Sequence, residues 1–459
     1  MALGDNRTQT QSWQEADSQH HLHPFTTHPE LRAAGPRVIT RGEGVYIYDS
    51  EGHKMLDGMS GLWCVQLGYG NKKLVEAGAE ALAKLSYYNT FFQTTNPYVA
   101  ELAELVAKLT PPGLDEMVFA NSGSEANDTA VKLVRYYWNL KKRTSKKAII
   151  TRELSYHGVT LAAASLTGLT PMHPQFDLPL PGFHHIGPPP YWYGYAKDCS
   201  PEDFTDVCVA ALEDKILELG PDNVGAFCGE PVMGAGGMIT PPPGYWPKIE
   251  AICHKYDVLL WSDEVICGFG RTGSWFGCQT YGFNPDIITV AKGLSSGYQP
   301  ISATILGGDV AETIRSADQE MSHGFTYSGH PVTAAVALAN IKEMQRLDLV
   351  GADGAERAAY FQERIRSLMD HPLAGEVRGV GFLGAVELVE DKVSRKHFPE
   401  KRNVGLTCRN ACMEKGLIIR AVRDIMVMSP PLVIDRSEID ELVDTTRQCM
   451  DITLDAIGA

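Results

Sequence analysis

Two hydrophobic rhythms alternate along the middle of the chain. Val99, Leu102, Leu105, Val106 and Leu109 recur at helical spacing after Pro97, and Pro111-Pro112-Gly113 ends that run. Short, nearly continuous apolar stretches follow at Met117 to Ala120, Ala148 to Thr151, Val224 to Cys228, Val258 to Trp261 and Ile287 to Val290. Each closes in polar or glycine-containing sequence, as buried strands do. Between them, Pro201 to Leu219 and Tyr245 to Tyr256 are long enough for crossover helices. The pattern predicts an α/β fold with a mostly parallel sheet, whose ligands gather beyond the carboxyl ends of the strands.

The two ends of the chain depart from this rhythm. Val38 to Asp57 predicts a small antiparallel unit around Gly42, Gly44 and Gly52, and the tail from Pro331 onward mixes helices with short strands. A chain of 459 residues has room for more than one domain. The expected division is an N-terminal arm and part of a small α+β domain over residues 1–75, a large domain over 76–330, and the rest of the small domain over 331–459. Pro179 to Tyr195, rich in Pro, Gly and aromatics, has a composition shared with polyproline ligands, but within an α/β core it predicts a surface or lid loop.

Three strand ends carry chemistry. Asn121-Ser122-Gly123-Ser124-Glu125 follows one strand and opens a helix through Val131, Val134 and Trp138. Gly123 permits close backbone approach, Ser122 and Ser124 offer hydroxyls, and the free N–H groups of the helix start favour an anion such as phosphate. A plain serine N-cap with a glutamate nearby is the competing reading. Trp261-Ser262-Asp263-Glu264-Val265 ends a second strand in an acidic pair, which is costly in a crevice unless partnered. A protonated ring nitrogen would partner it; so would a structural ion pair or a helix cap. Ala291-Lys292-Gly293-Leu294-Ser295-Ser296-Gly297 ends a third strand in a lysine. In a crevice that amine is available as a Schiff-base nucleophile and a general base, whereas a lysine snorkelling outward has no such task.

Phosphate, ring nitrogen and aldehyde are the three handles of pyridoxal phosphate, and the three motifs occur in an order that serves them. Glu230-Pro231, after the Val224 strand, and Tyr156-His157-Gly158, after the Ala148 strand, add a polar ring contact and an aromatic stacking face.

Together with Gly61-Leu62-Trp63-Cys64, Asp263-Glu264-Val265-Ile266-Cys267-Gly268-Phe269-Gly270-Arg271-Thr272-Gly273 and His323-Gly324-Phe325-Thr326-Tyr327-Ser328-Gly329-His330-Pro331, these motifs make the chain resemble a class III aminotransferase of fold type I over nearly its whole length. Within that class it is similar to the ω-amino acid:pyruvate and polyamine:pyruvate transaminases. The resemblance implies that Lys292 holds the cofactor and moves the proton, that Asp263 binds the pyridine nitrogen, and that Val265 and Tyr156 sandwich the ring. It implies that Ser122, Gly123 and Ser124 hold the phosphate, joined by Thr326 from a second subunit, so that the active unit is a homodimer, with pairing into a tetramer left open. Glu230 and His157 fall in the polar network around the ring. Phe25, Trp63, Phe91, Phe92, Tyr156 and Ala235 fall along the substrate pocket, and Arg420 falls where the family keeps a mobile arginine for substrate carboxylates. Arg423 stands where relatives often have Gly, and Leu154 and Ser155 are less usual before Tyr156.

The implied reaction moves an amino group from a primary amine, ω-amino acid or polyamine to a 2-oxo acid such as pyruvate, giving L-alanine and a carbonyl product. An aminomutase would use the same residues. Gly268-Phe269-Gly270-Arg271-Thr272-Gly273 also matches a dinucleotide fingerprint, but Ser274-Trp275-Phe276-Gly277 does not predict the helix that a nicotinamide site requires. His20, His21 and His23 suggest a metal cluster, yet no carboxylate or cysteine set accompanies them in the sequence, and an ordered arm is the expectation.

Composition narrows the partners. Lys plus Arg number 41 against 56 Asp plus Glu, a formal charge of −15 that repels a nucleic-acid backbone. No stretch is long and apolar enough to predict a membrane span, and Met1 to Gln19 carries no apolar core of a signal peptide. The 10 cysteines are scattered without zinc spacing, which suits free thiols in the cytoplasm.

Overall fold

The computed structural model describes residues 8–196 and 198–458; the first seven residues of the polar N-terminal stretch lie outside it. A seven-stranded sheet forms the centre, in the spatial order Leu114–Ala120, Ser302–Gly307, Ile287–Val290, Leu259–Asp263, Val224–Gly229, Ala148–Arg152, Phe183–Ile186. Ser302–Gly307 runs antiparallel to both its neighbours, and the other adjacent strands pair in parallel. Four of the five apolar runs read from the sequence continue past their last predicted or before their first predicted residue. One of these extensions carries Asp263 into the sheet as the final residue of its strand.

Two strands did not show in the hydrophobic pattern. Phe183–Ile186, inside the stretch expected to be a loop, pairs with Ala148–Arg152 as the sheet edge. Its histidines conceal it, because only Phe183 and Ile186 are buried while His184 and His185 sit half-covered. Ser302–Gly307 fills the gap between Leu114–Ala120 and Ile287–Val290.

Helices cover the sheet where the spacing placed them: Pro97–Ala107, Gly123–Leu140, Pro201–Leu219 and Tyr245–Lys255. Gly123–Leu140 buries Val131, Val134 and Trp138 against the strands, and the Trp138 indole donates to the Gly225 carbonyl at 3.0 Å. That packing fixes the helix start beside the strand ends.

Ile39–Glu43, Tyr46–Asp49 and Lys54–Asp57 form the antiparallel unit expected near the N-terminus, and Leu417–Ile418 adds to it in parallel. A further sheet joins Ala374–Val380, Leu383–Leu388, Ile425–Met428 and Arg420–Val422. The latter two make a hairpin that delivers Arg420. Gly268–Gly273 opens no helix. Its Arg271 is buried and donates to the Ser429 and Pro430 carbonyls, so the segment ties the two ends of the fold together. Among the described residues no helix is long and apolar enough to cross a membrane.

Candidate active site

The acid, the lysine and the anion turn lie at the carboxyl ends of Leu259–Asp263, Ile287–Val290 and Leu114–Ala120, which run in the same direction, with Ser302–Gly307 between the last two. Asp263 is buried, and its Oδ2 accepts from His157 Nδ1 at 2.7 Å and Asn127 Nδ2 at 2.8 Å. Its Oδ1 accepts from the Val265 N–H at 3.1 Å, which leaves lone-pair capacity on that oxygen for a further donor. His157 is thereby fixed as the tautomer that donates from Nδ1, with Nε2 buried and unbonded. Asn127 also donates to the His157 carbonyl at 2.5 Å, so it locks the histidine loop and the acid together. Sequence reasoning missed Asn127. The signal was there: it lies one helical turn beyond Gly123, a polar residue on the face that buries Ala126, Ala130 and Val134. Asn127→Ala removes a hydrogen bond to a charged acceptor, typically about 1.5–3 kcal/mol. We expect turnover to fall at least about tenfold with the fold retained, measured as the rate of amine consumption beside thermal unfolding.

Lys292 follows the strand Ile287–Val290 and holds φ at +43°, a left-handed conformation that costs a lysine backbone strain. Burial lowers its amine below the ordinary lysine range, with the Asp263 carboxylate opposing. A larger fraction is therefore a neutral nucleophile at a given pH than for a solvated lysine. Its Nζ lies 5.7 Å from the Trp63 ring centre.

Ser122 does act as the helix N-cap, its Oγ accepting the Glu125 N–H at 3.2 Å, while Glu125 reaches back to the Asn121 N–H at 2.7 Å. The capping reading holds, and it leaves room for the other. The cap uses the Ser122 hydroxyl, and the Gly123 and Ser124 N–H groups at the start of an 18-residue helix remain for an anion. A Cβ on Gly123 would come within 3.0 Å of a Val265 methyl, so a larger residue there would have to push Val265 aside.

Glu230 binds two loops at once. Its buried carboxyl accepts from the Tyr156 N–H and the Gly234 N–H, each at 3.0 Å, and burial raises its pKa, with His157 opposing. It thus sets Tyr156 on one side and the turn carrying buried Ala235 on the other. Burial also raises the Tyr156 hydroxyl, with Arg420 as the nearest opposing charge.

Trp63 is 2% exposed and stands at φ +61°, and its loop is braced by Asp57. The Asp57 carboxylate accepts from the Met59 N–H at 3.0 Å, the Gly61 N–H at 2.5 Å and the Tyr69 hydroxyl at 2.6 Å. Arg420 rests over the other side of this constellation, its guanidinium carbon 5.1 Å from the Trp63 ring centre. Arg423 does not reinforce it: exposed at the hairpin tip with φ +54°, it places its charge near Glu387 and Asp424.

Other expected pocket residues gather elsewhere on the chain. Phe92 is 88% exposed and makes an edge contact with Phe91 at 6.0 Å, and Phe91 packs against Gly324. Thr326 is exposed, its carbonyl accepting from the Tyr87 hydroxyl at 2.7 Å. Phe25 stands 76% exposed on the N-terminal arm. Among the described residues no hydrogen bond or ring contact joins these four to the Lys292 cluster. The arm also holds a carboxylate the sequence reading did not foresee, Asp17, which bonds His21 at 3.1 Å and His23 at 2.7 Å.

Residues 30–450 match the class-III aminotransferase family, and the chain belongs to it. The chain is 51% identical over 450 residues to the putrescine–pyruvate aminotransferase of Pseudomonas aeruginosa, covering 98% of each. It is 44% identical to the diaminobutyrate–2-oxoglutarate transaminase of Halomonas elongata, covering 92% of this chain and 91% of that one. The ω-transaminase of Pseudomonas jessenii, solved in complex with PMP, superposes with a TM-score of 0.95 at 43% identity, covering 97% of this chain and 99% of that one. The protein is therefore a fold type I aminotransferase that works with pyridoxal phosphate. Its donor set fits that cofactor: the N–H groups of a helix start for phosphate, a buried carboxylate for the ring nitrogen, and a lysine amine kept below its ordinary pKa for the aldehyde.

Proposed function

We propose that this enzyme transfers amino groups from short diamines and related primary amines or ω-amino acids to pyruvate, releasing L-alanine. The observation that carries the reading is Arg420, a partly buried guanidinium that rests on an indole and has no carboxylate partner among the described residues. Such a cation is available to a 2-oxo acid carboxylate and dispensable for a donor without one. The identity to the Pseudomonas aeruginosa enzyme supports the choice of substrates.

The cofactor supplies an aldehyde that takes up the amino group and a ring that draws electrons from the substrate carbon. Lys292 would anchor it, and its amine would take a proton from that carbon and return it to the cofactor's aldehyde carbon, across the transferred nitrogen. Asp263, aligned by His157 and Asn127, holds the ring nitrogen. Gly123 and Ser124 receive the phosphate, Val265 and Tyr156 flank the ring, and Trp63 with Ala235 walls the donor side. We assign Phe25, Phe91, Phe92 and Thr326 to the site of a second copy in a homodimer; the exposed Tyr88, Phe92 and Tyr327 on that surface suit such an interface. The division into residues 1–75, 76–330 and 331–459 belongs to this reading, supported by the sheet that unites strands from both chain ends. So does a cytoplasmic location, supported by ten free cysteines.

A panel of amines with pyruvate, scored by alanine formed, tests the reading. Putrescine is expected among the active donors; a marked preference for 2-oxoglutarate over pyruvate, or conversion of the amine without alanine, overturns it. Arg420→Ala is expected to slow the pyruvate half-reaction by about tenfold or more, the worth of a charge-assisted hydrogen bond, while sparing a simple monoamine. Equal losses in both half-reactions would remove Arg420 from this role.

A further inference from the structure

We propose that the indole face of Trp63 is a cation seat occupied in turn by Arg420 and by the distal ammonium of a diamine donor. The inference rests on the diamine-to-pyruvate reading above and assigns the group that distinguishes a diamine from a monoamine of equal length.

The Arg420 guanidinium lies within attractive range of this ring at 5.1 Å, and the Lys292 amine, beside which the donor nitrogen reacts, is 5.7 Å from its centre. The seat is rigid. Asp57 braces the turn through three hydrogen bonds, and the indole belongs to a buried apolar cluster with Met59, Val232, Met238, Ile266 and Ile425. Its Nε1 is buried and unbonded, so packing alone orients the ring and its π-face is what it offers. The occupant, by contrast, is loosely held: no carboxylate pairs with Arg420 among the described residues, and burial works against its charge.

The acids described at the site are already engaged. Asp263 is taken by His157, Asn127 and Val265, and Glu230 by the N–H groups of Tyr156 and Gly234. A diamine whose first nitrogen reacts beside Lys292 reaches the neighbouring indole with its second, and like-charge repulsion drives Arg420 off the ring. Pyruvate brings a carboxylate instead, which pairs with the guanidinium and leaves the ring bare. One aromatic face thus serves both halves of the cycle, empty of substrate charge in one and cation-bound in the other.

The two partners should then shift donor preference in opposite directions. The holoenzyme is mixed with putrescine or 1-aminobutane in the absence of pyruvate, and the decay of the cofactor's aldehyde absorbance is followed. The ratio of the two apparent second-order constants is the readout, since a general loss of packing or folding cancels in it. Trp63→Leu is expected to lower the putrescine preference by roughly tenfold, Trp63→Phe to keep part of it, and Arg420→Gln to raise it. A ratio equal to wild type in both Trp63 variants, or a lower ratio in Arg420→Gln, overturns the proposal while the diamine reading stands. A wild-type enzyme that converts neither amine overturns the diamine reading, and this proposal with it.

Discussion

Lys292→Ala is expected to reduce transamination by at least about a thousandfold while the protein folds normally. On the proposed reading the substitution removes both the anchor for the aldehyde and the group that moves a proton between substrate carbon and cofactor. The strand that ends at Val290 is held by its neighbours along its length and needs nothing from the lysine side chain. Stability should in fact respond in the other direction. A buried amine with a lowered pKa costs free energy, and the backbone at φ +43° suits glycine better than any residue with a Cβ. Lys292→Gly should therefore be about 1 kcal/mol more stable than Lys292→Ala in cofactor-free protein, read from thermal unfolding. Activity retained within tenfold in either variant would place the proton transfer elsewhere.

Asp263→Asn should come next in effect. The change conserves shape but removes the charge opposite the ring nitrogen, leaving a buried cation without its partner, a loss of about 3–5 kcal/mol. In rate this corresponds to roughly two to four powers of ten. The neighbours sharpen the expectation: His157 Nδ1 and Asn127 Nδ2 are both donors to Asp263 Oδ2, and an amide nitrogen rotated to that side would face donors with a donor. The variant must therefore present its carbonyl oxygen inward and its NH2 near Val265 or the cofactor, where a second donor clash follows. We expect weakened cofactor retention together with the loss of rate, both measurable by absorbance after dialysis. A variant with near-normal turnover would show that the carboxylate is structural.

The three chemistry-bearing strand ends were legible because each couples a local signal to a predictable place. A short apolar run locates a buried strand, and an out-of-character residue at its end, whether Asp263, Lys292 or the glycine of the anion turn, marks where the sheet opens to ligand. Asn127 was not legible because its role comes from a long-range pairing: helix phase placed it inward, but only the closed sheet brings it to Asp263. The same holds for the Asp57 brace, whose acceptors meet donors two, four and twelve residues on through a turn with reversed backbone at Ser60 and Trp63. Phe183–Ile186 was hidden for a different reason. Phe183 and Ile186 point to opposite faces and are both buried, with His184 and His185 between them, so the strand shows neither alternation nor a continuous apolar run, and flanking proline and glycine read as a loop. Asp17 beside His21 and His23 illustrates helix geometry at work, since a residue four positions earlier reaches the end of its own helix.

Phe25, Phe92 and Thr326, which the resemblance places at the pocket and the phosphate, stand exposed on this chain. The lysine, the acid and its two donors, the anion turn and the tryptophan with its arginine are all assembled by a single copy.

The central assignment, that residue 292 carries the cofactor, is tested most directly by reducing the holoenzyme with borohydride and mapping the modified peptide. The account predicts a stable pyridoxyl group on Lys292, within the peptide that follows Ile287–Val290, and none on this peptide in Lys292→Ala. A reduced cofactor found on another lysine, or released without attachment, would contradict it.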